Sequence, residues 1–215
     1  MPECKRANLP VPCCCSSTKS FSGSNTKQRV FALSFHVDYW NRLGWIDPFS
    51  QKKFSQRQRR YAKVLKDRRV YTPEMVVNGQ DGFVGSDRLR AKHRIEQALK
   101  KVPEIALVLN LAQGAKKDRL QVTYAMDVER DGAVLNVALV EKKTQVNVLR
   151  GENEGRLLTH HHVVREFVTV KADLSGMVRL KLPDGLDADD VDVIGFIQDK
   201  ASMSILAVNS ASLTE

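Results

Sequence analysis

Cysteine is missing from most of this chain. Cys4, Cys13, Cys14 and Cys15 all lie within the first 15 of the 215 residues, and no other position holds a cysteine. A disulfide framework is therefore excluded for the body of the protein. Adjacent cysteines also fit disulfide geometry poorly, because bridged Cα atoms lie about 4.4 to 6.8 Å apart. There is no C-x-x-C pair and no second Cys/His cluster at zinc spacing, so we expect no metal at the cysteines.

Long hydrophobic runs are missing as well. No stretch approaches the roughly 18 apolar residues that a transmembrane helix needs, so we expect no membrane span. The first 30 residues carry lysines and arginines among prolines and serines, without the apolar segment of a secretory signal. Residues 1–28 show neither helical nor strand periodicity, which predicts an irregular arm. The hydrophobic content of 42% nevertheless indicates a globular body after that arm.

Acidic residues are scarce in the first half of the chain. Residues 1–103 carry 21 basic and 8 acidic side chains, whereas residues 104–215 carry 13 and 17. Nine of the basic residues lie between Lys52 and Arg69, where Asp67 is the only acid. Apolar residues in this segment recur at helical spacing, so we predict a helix over residues 50–68 with a solvated basic face. No RNA- or DNA-binding motif accompanies it, and we expect no nucleic-acid partner.

The segment FALSFHVDYWNRLGW, residues 31–45, changes abruptly from apolar to chemically functional. Its first five residues predict a strand that is buried on both faces of a parallel sheet. Ligands bind at the carboxyl ends of strands in open α/β sheets. We therefore predict a cleft there, although packing at the rim of a core is an open alternative. The residues that would line it at this point are His36, Asp38, Tyr39, Trp40 and Trp45.

The elements after the basic helix complete a small α/β unit over residues 29–103. Residues 70–78, VYTPEMVVN, predict a short strand that begins near Pro73, and residues 83–85 supply its hairpin partner. Ser86 or Asp87 can cap a second helix that runs to Lys101. We expect Tyr71, Thr72 and Pro73 to complete the cleft.

Four stretches of this unit resemble one family: FHVDYWNRLGWIDPF, QRQRRYA, VYTPEMVVNG and VGSD. They are similar to the thioredoxin-like, predicted secreted proteins catalogued as domain of unknown function 1223. GENEGRLLTHHHVVRE, residues 151–166, resembles that family's second signature, so the resemblance covers about residues 30–208. It implies a thioredoxin-like domain with a cis bond at Pro73. It further implies protein or peptide thiols and disulfides as substrates, a periplasmic or secreted location, and no cofactor.

The chain departs from that family where its chemistry would lie. Family members place a first strand and a C-x-x-C-P-P motif roughly 20 residues before the His-x-Asp segment. At that distance this chain has only Cys14 and Cys15, which are weak candidates for a reactive thiol. A shifted reading frame or a variant that has lost dithiol chemistry would each explain the difference. We expect a protein without redox activity; the alternative is a protein- or peptide-binding module that uses the cleft around His36, Trp40 and Pro73.

Residues 104–215 belong to a different structural class. Leu120, Val122, Tyr124 and Met126 alternate with polar or small residues, as in a half-buried antiparallel strand. Turn signals separate seven such segments, so the fold class is α/β plus β, with a β-sandwich-like domain after the thioredoxin-like one. The predicted strands are residues 105–111, 120–128, 133–141, 160–171, 177–182, 192–198 and 204–209.

The second signature contains three consecutive histidines and several further polar residues. On a strand, only His160 and His162 would share a face, and two ligands are too few for a zinc site. We therefore predict no metal, and we place the signature at a contact between the two domains. Its candidate residues are Glu152, Asn153, Arg156, His160 and Arg165. The sequence does not indicate an oligomeric state.

Overall fold

A computed structural model describes residues 30–67, 69–151 and 153–213 of the chain. The predicted arm, with Cys14 and Cys15, lies outside the described residues, and so does Glu152. The helices are α1 (Lys52–Val64) and α2 (Arg88–Leu99), and a 3-10 turn spans Asn41–Leu43. The strands are β1 (Glu74–Val77), β2 (Asp81–Val84), β3 (Leu107–Gln113), β4 (Arg119–Met126), β5 (Ala133–Asn147), β6 (Leu157–Lys171), β7 (Ser175–Lys181), β8 (Val191–Asp199) and β9 (Ile205–Ala211).

Helix α1 confirms the predicted basic helix with shorter bounds. Phe54, Tyr61 and Ala62 are buried on one side of it, which is the periodicity that predicted the helix. The backbone N–H of Leu65 donates to the carbonyl of Tyr61 in a last helical hydrogen bond, and the helix stops there because Lys66 has a positive φ of 57°. The remaining side of α1 is basic and faces solvent.

Strands β1 and β2 form an antiparallel hairpin that leads into α2. Asp87 caps α2, because its side chain accepts a hydrogen bond from the backbone N–H of Arg90 at 3.0 Å. The helix ends at Leu99, two residues before the predicted end. The Thr72–Pro73 bond that precedes β1 is cis, as the resemblance implies.

Strands β3 to β9 form two antiparallel sheets, with strand orders β3-β4-β7 and β6-β5-β8-β9. Each of the seven strands predicted after residue 104 coincides with one of them. The sheets share one core, in which Leu120, Val122 and Leu180 of the smaller sheet meet Leu135 and Val137 of the larger one. All five of these side chains are fully buried, so this core is the largest apolar contact among the described residues.

Strand β5 is buried on both faces. Leu135, Val137 and Leu139 point into the core between the sheets, whereas Ala138 and Val140 belong to a second cluster on the opposite face. That second cluster contains Phe54 of α1 together with Phe31, Leu33 and Phe35. Burial on both faces explains why the sequence of β5 is continuously apolar from Val137 to Val140 instead of alternating.

The prediction of a doubly buried strand at residues 31–35 is wrong for the described residues. This segment makes one isolated parallel bridge, between Ser34 and Val163 of β6. Ser34 donates its backbone N–H to His162 at 2.8 Å and accepts one from Val164 at 3.0 Å. The phenylalanine and leucine side chains of the segment are only half-buried, because they pack in one direction, onto the second cluster.

The β1–β2 turn docks against the loop between β8 and β9. Ile205 donates its backbone N–H to the carbonyl of Asn78 at 2.9 Å. Gly79, at φ +70°, lies so close to Met203 that an added Cβ would be 1.9 Å from the Met203 carbonyl oxygen. Among the described residues, no helix is long and apolar enough to cross a membrane.

Candidate functional site

A groove of about 720 Å³ opens beside residues 30–37. Its lining also includes residues of α1, of β1 and the β1–β2 turn, of the end of α2 and of strand β9. Most of its lining is apolar, which is typical of sites that bind organic ligands or polypeptide segments. The apolar lining residues include Val30, Leu33, Phe35, Met75, Val77, Ile95, Leu99, Val148, Ile205 and Val208.

Five of the eight predicted cleft residues line this groove. Trp40 donates its indole N–H to Thr72 Oγ1 at 3.0 Å, which joins the segment after residue 36 to the start of the β1–β2 hairpin. Pro73 follows directly, and Trp45 and His36 also contribute to the lining. The groove therefore has an aromatic end at the cis peptide bond.

The other three predicted cleft residues bind α1 instead of lining the groove. Asp38 accepts a hydrogen bond from the hydroxyl of Ser55, and Tyr39 donates its hydroxyl to Gln58 at 3.1 Å. The backbone carbonyl of Tyr71 accepts a hydrogen bond from the Gln58 side chain at 2.7 Å. Burial is the main cause that raises the pKa of the Tyr39 hydroxyl. These contacts fix the aromatic end of the groove on α1.

His36 and His160 form a buried pair behind the groove. Their rings lie 5.0 Å apart at 71°, and they are 2% and 4% exposed. His36 Nδ1 hydrogen-bonds Asp47 Oδ2 at 2.6 Å. His36 Nε2 and both ring nitrogens of His160 have no hydrogen-bond partner among the described residues. Burial, followed by the proximity of His36, lowers the pKa of His160 to about 4, so this ring is neutral at pH 7.

The strand alternation expected for the three histidines is interrupted. His162 has a positive φ of 52°, and both His161 and His162 line the groove while His160 packs against His36. Burial lowers the pKa of His162 as well. No group of three or more His, Cys, Asp or Glu side chains in the described part of the chain is placed to hold a metal ion.

The remaining residues of the second signature take separate positions. Asn153 is 7% exposed and lines the groove. Arg156 is exposed, and its backbone N–H donates to the carbonyl of Asn153 at 3.1 Å. Arg165 forms an ion pair with Glu141 and lies 5.0 Å above the ring of Phe49, which in turn contacts His36 and His160.

A polar network that we did not predict joins α1 to β8. Gln198, 2% exposed, donates to the hydroxyl of Tyr61 at 2.9 Å and to the carbonyl of Met203 at 2.6 Å. Its side-chain oxygen accepts hydrogen bonds from Arg57 at 2.9 Å and from Asn136 at 3.2 Å. Burial lowers the pKa of Arg57, whose guanidinium packs on the rings of Phe35, Tyr61, Phe167 and Phe196. A glutamine within the apolar run VDVIGFIQD was the signal for this network.

The fold of the chain is similar to that of a solved structure. The crystal structure of protein AGR_C_4864 from Agrobacterium tumefaciens matches with a TM-score of 0.59 at 23% identity, over 85% of this chain and 80% of that chain. A domain of the outer membrane lipoprotein Omp28 from Porphyromonas gingivalis matches over 53% of this chain and 91% of that chain at 10% identity. The TM-score of this match is 0.34. No curated protein matches the chain.

The family model described as "Protein of unknown function (DUF1223)" matches residues 12–198. The chain therefore belongs to the DUF1223 family. The match begins at residue 12, earlier than the start near residue 30 that the sequence motifs suggested, and it ends ten residues before the expected end at residue 208. It includes Cys13, Cys14 and Cys15.

Proposed function

We propose that this protein is a thioredoxin-like member of its family that binds an extended, largely apolar polypeptide segment without thiol-disulfide turnover. The observation that carries the proposal is the groove of about 720 Å³ between residues 30–37 and β1. Its apolar lining would bury alternate side chains of an extended segment, since successive residues of a strand point to opposite sides.

The form of the groove walls supports an extended occupant. The lining includes the segment that bridges β6 at Ser34, and it includes β1, which pairs with β2 in a two-stranded sheet among the described residues. Peptides that bind as an added strand obtain affinity from main-chain hydrogen bonds and specificity from pockets for alternate side chains. Trp40 and Thr72, already bonded to each other, would limit the segment at the cis-proline end.

The distribution of cysteine supports the absence of turnover. Positions 16–215 contain no cysteine, so any thiol chemistry depends on Cys4, Cys13, Cys14 and Cys15. None of these residues forms a C-x-x-C pair, the arrangement that lowers the thiolate pKa in dithiol oxidoreductases. We expect insulin reduction in the presence of dithiothreitol to be no faster with this protein than with a variant in which all four cysteines are serine. Turnover that the serine variant lacks would contradict this part of the proposal.

Binding can be tested with fluorescein-labelled, reduced and carboxymethylated α-lactalbumin, an unfolded polypeptide without free thiols. Val208 lines the groove and is 38% exposed, so Val208→Glu places a carboxylate there without opening the core. We expect about a tenfold weaker binding in fluorescence polarisation, because desolvating an unpaired carboxylate is costly. The matched control is Val108→Glu on β3, which is 52% exposed and does not line the groove. Equal binding by both variants, or no binding by the unmodified protein, would contradict a peptide groove.

A further inference from the structure

The solvent side of α1 is a continuous basic surface. Its residues are Lys52, Lys53, Arg59, Arg60 and Lys63, all exposed, and α1 contains no acidic residue. Positions 52, 59, 60 and 63 follow helical spacing, so these side chains lie along one side of the helix over about 16 Å. We call this surface the basic face of α1.

The cations of the basic face form no ion pair within the described part of the chain, although Lys53 is influenced by a nearby carboxylate, that of Glu166. None of its five cations lies within 4.0 Å of a carboxylate oxygen there. Arg59 and Lys63 are four residues apart and Arg60 and Lys63 three apart, so these like charges face each other and weaken the helix. No ion pair among the described residues offsets the repulsion between Arg59, Arg60 and Lys63, and a negatively charged partner surface would offset it.

A complementary surface is present on the same chain. The loop between β7 and β8 carries four exposed aspartates within seven residues, and none of them has a cationic group within 4.0 Å among the described residues. Lys142, the nearby cation, pairs with Asp192 at 3.7 Å and donates to the backbone carbonyl of Asp189. The side chains of this acidic loop, Asp184, Asp187, Asp189 and Asp190, are thus available to an external partner.

We propose that the basic face of α1 docks onto the acidic loop of a second copy of this chain. Five cations meet four carboxylates, and opposite surface charges of this kind steer association and fix orientation. The two surfaces differ, so the contact is heterologous: one copy of a pair keeps a free acidic loop and the other keeps a free basic face. The exposed residues of α1 include no apolar anchor for a membrane and no aromatic ring for stacking nucleic-acid bases, which favours a protein partner.

Sedimentation velocity of the full chain at low and high salt tests the proposal. We expect reversible association at about 20 mM NaCl that is lost at about 500 mM, because salt screens exposed charges over a few ångströms at high concentration. We expect nuclease treatment to leave this association unchanged. Loss of association after nuclease treatment, or association that persists at high salt, would overturn the proposal. A protein that stays monomeric at low salt would overturn it as well.

Charge reversal identifies the two surfaces. The triple variants Arg59→Glu/Arg60→Glu/Lys63→Glu and Asp187→Lys/Asp189→Lys/Asp190→Lys should each fail to self-associate, whereas a mixture of the two should associate as the unmodified protein does. Arg88→Glu/Lys92→Glu on α2 is the matched control and should associate normally. Far-UV circular dichroism confirms that each variant is folded. Failure of the mixture to associate, or association by either triple variant alone, rules the contact out. Binding to vesicles of phosphatidylcholine and phosphatidylglycerol without self-association would instead favour a lipid partner and overturn the proposal.

Discussion

Trp40 donates its indole N–H to the side-chain oxygen of Thr72, across 32 residues of sequence and at 3.0 Å. This bond joins the two chain segments that form the aromatic end of the groove. Gln58 of α1 supports both segments from behind, since it accepts a hydrogen bond from Tyr39 and donates one to the carbonyl of Tyr71. The aromatic end is therefore held by side-chain bonds to a helix.

Replacing Thr72 with valine tests this bond. Thr72→Val keeps the shape of the side chain but leaves the Trp40 N–H without its acceptor, so we expect the free energy of unfolding to fall by about 1 kcal/mol. Urea unfolding followed by tryptophan fluorescence measures it. Thr123→Val, at an exposed position on β4, is the control and should change little. A Thr72→Val protein as stable as the control variant would show that the bond adds no net stability.

His160 should make stability depend on pH. Its pKa in the folded protein is about 4, against about 6.5 in an unfolded chain. The unfolded state therefore binds a proton that the folded state does not, and the free energy of unfolding should fall as the pH decreases from about 6.5 to about 4. In the His160→Leu variant, protonation of residue 160 no longer contributes to the decrease in the free energy of unfolding. We expect the decrease in unfolding free energy between pH 7 and pH 5 to be smaller than in the unmodified protein by about 2 kcal/mol.

The same variant has a second expected effect at pH 7. Leucine removes two buried ring nitrogens that have no partner among the described residues, so His160→Leu should be at least as stable as the unmodified protein there. His93→Leu makes the same substitution at an exposed site on α2 and serves as the control. An identical pH dependence in the His160→Leu and unmodified proteins would refute the assigned role.

Alanine substitutions at Gly79 and Gly132 distinguish the effect of steric contact from that of backbone strain. Gly79→Ala would place a Cβ 1.9 Å from the carbonyl oxygen of Met203 at a positive φ, so the β1–β2 turn must move away from the β8–β9 loop. Gly132→Ala is the control, because its φ is +74° but no atom lies within 4 Å of the added Cβ. We expect Gly132→Ala to lower the free energy of unfolding by about 1 to 2 kcal/mol, and Gly79→Ala to lower it clearly more. Thermal unfolding of both variants measures the difference, and equal losses would exclude the close approach.

Substitution of the buried Gln198 should lower the stability of the protein strongly. Gln198→Met keeps the side-chain volume but removes the hydrogen-bond partner that Tyr61, Arg57 and Asn136 share. We therefore expect the free energy of unfolding to fall by about 2 to 4 kcal/mol. Gln56→Met, exposed on α1, provides the comparison. Chemical denaturation of both proteins is the measurement, and similar values for the two would mean that the network is not stabilising.

Local patterns in the sequence were sufficient to predict most of the helices and strands. The alternation of Leu120, Val122 and Tyr124 predicted β4 because one face of that strand is buried and the other is exposed. Ser86 or Asp87 was predicted as a cap from its position before a helical pattern, and Asp87 is the residue that caps α2. Such signals act within a few residues, so they can be read without knowing the fold.

Contacts between distant segments were harder to predict. The apolar segment at 31–35 resembles a central strand, but its bridge to Val163 and its one-sided burial depend on how β6 passes beside it. Asp47 precedes Pro48 in a sequence typical of a turn, and nothing in its neighbourhood indicates the hydrogen bond to His36. The separation of Asp38, Tyr39 and Tyr71 from the groove likewise depends on where α1 lies.

Substitutions at neighbouring positions of β5 can report separately on the folding of two hydrophobic clusters. Val137 and Ala138 are neighbours in sequence, yet their side chains belong to two different hydrophobic clusters. Truncation at one position removes contacts between the sheets, and truncation at the other removes contacts with α1 and residues 31–35. The order in which the two clusters assemble can thus be resolved kinetically from adjacent positions that share almost the same backbone environment.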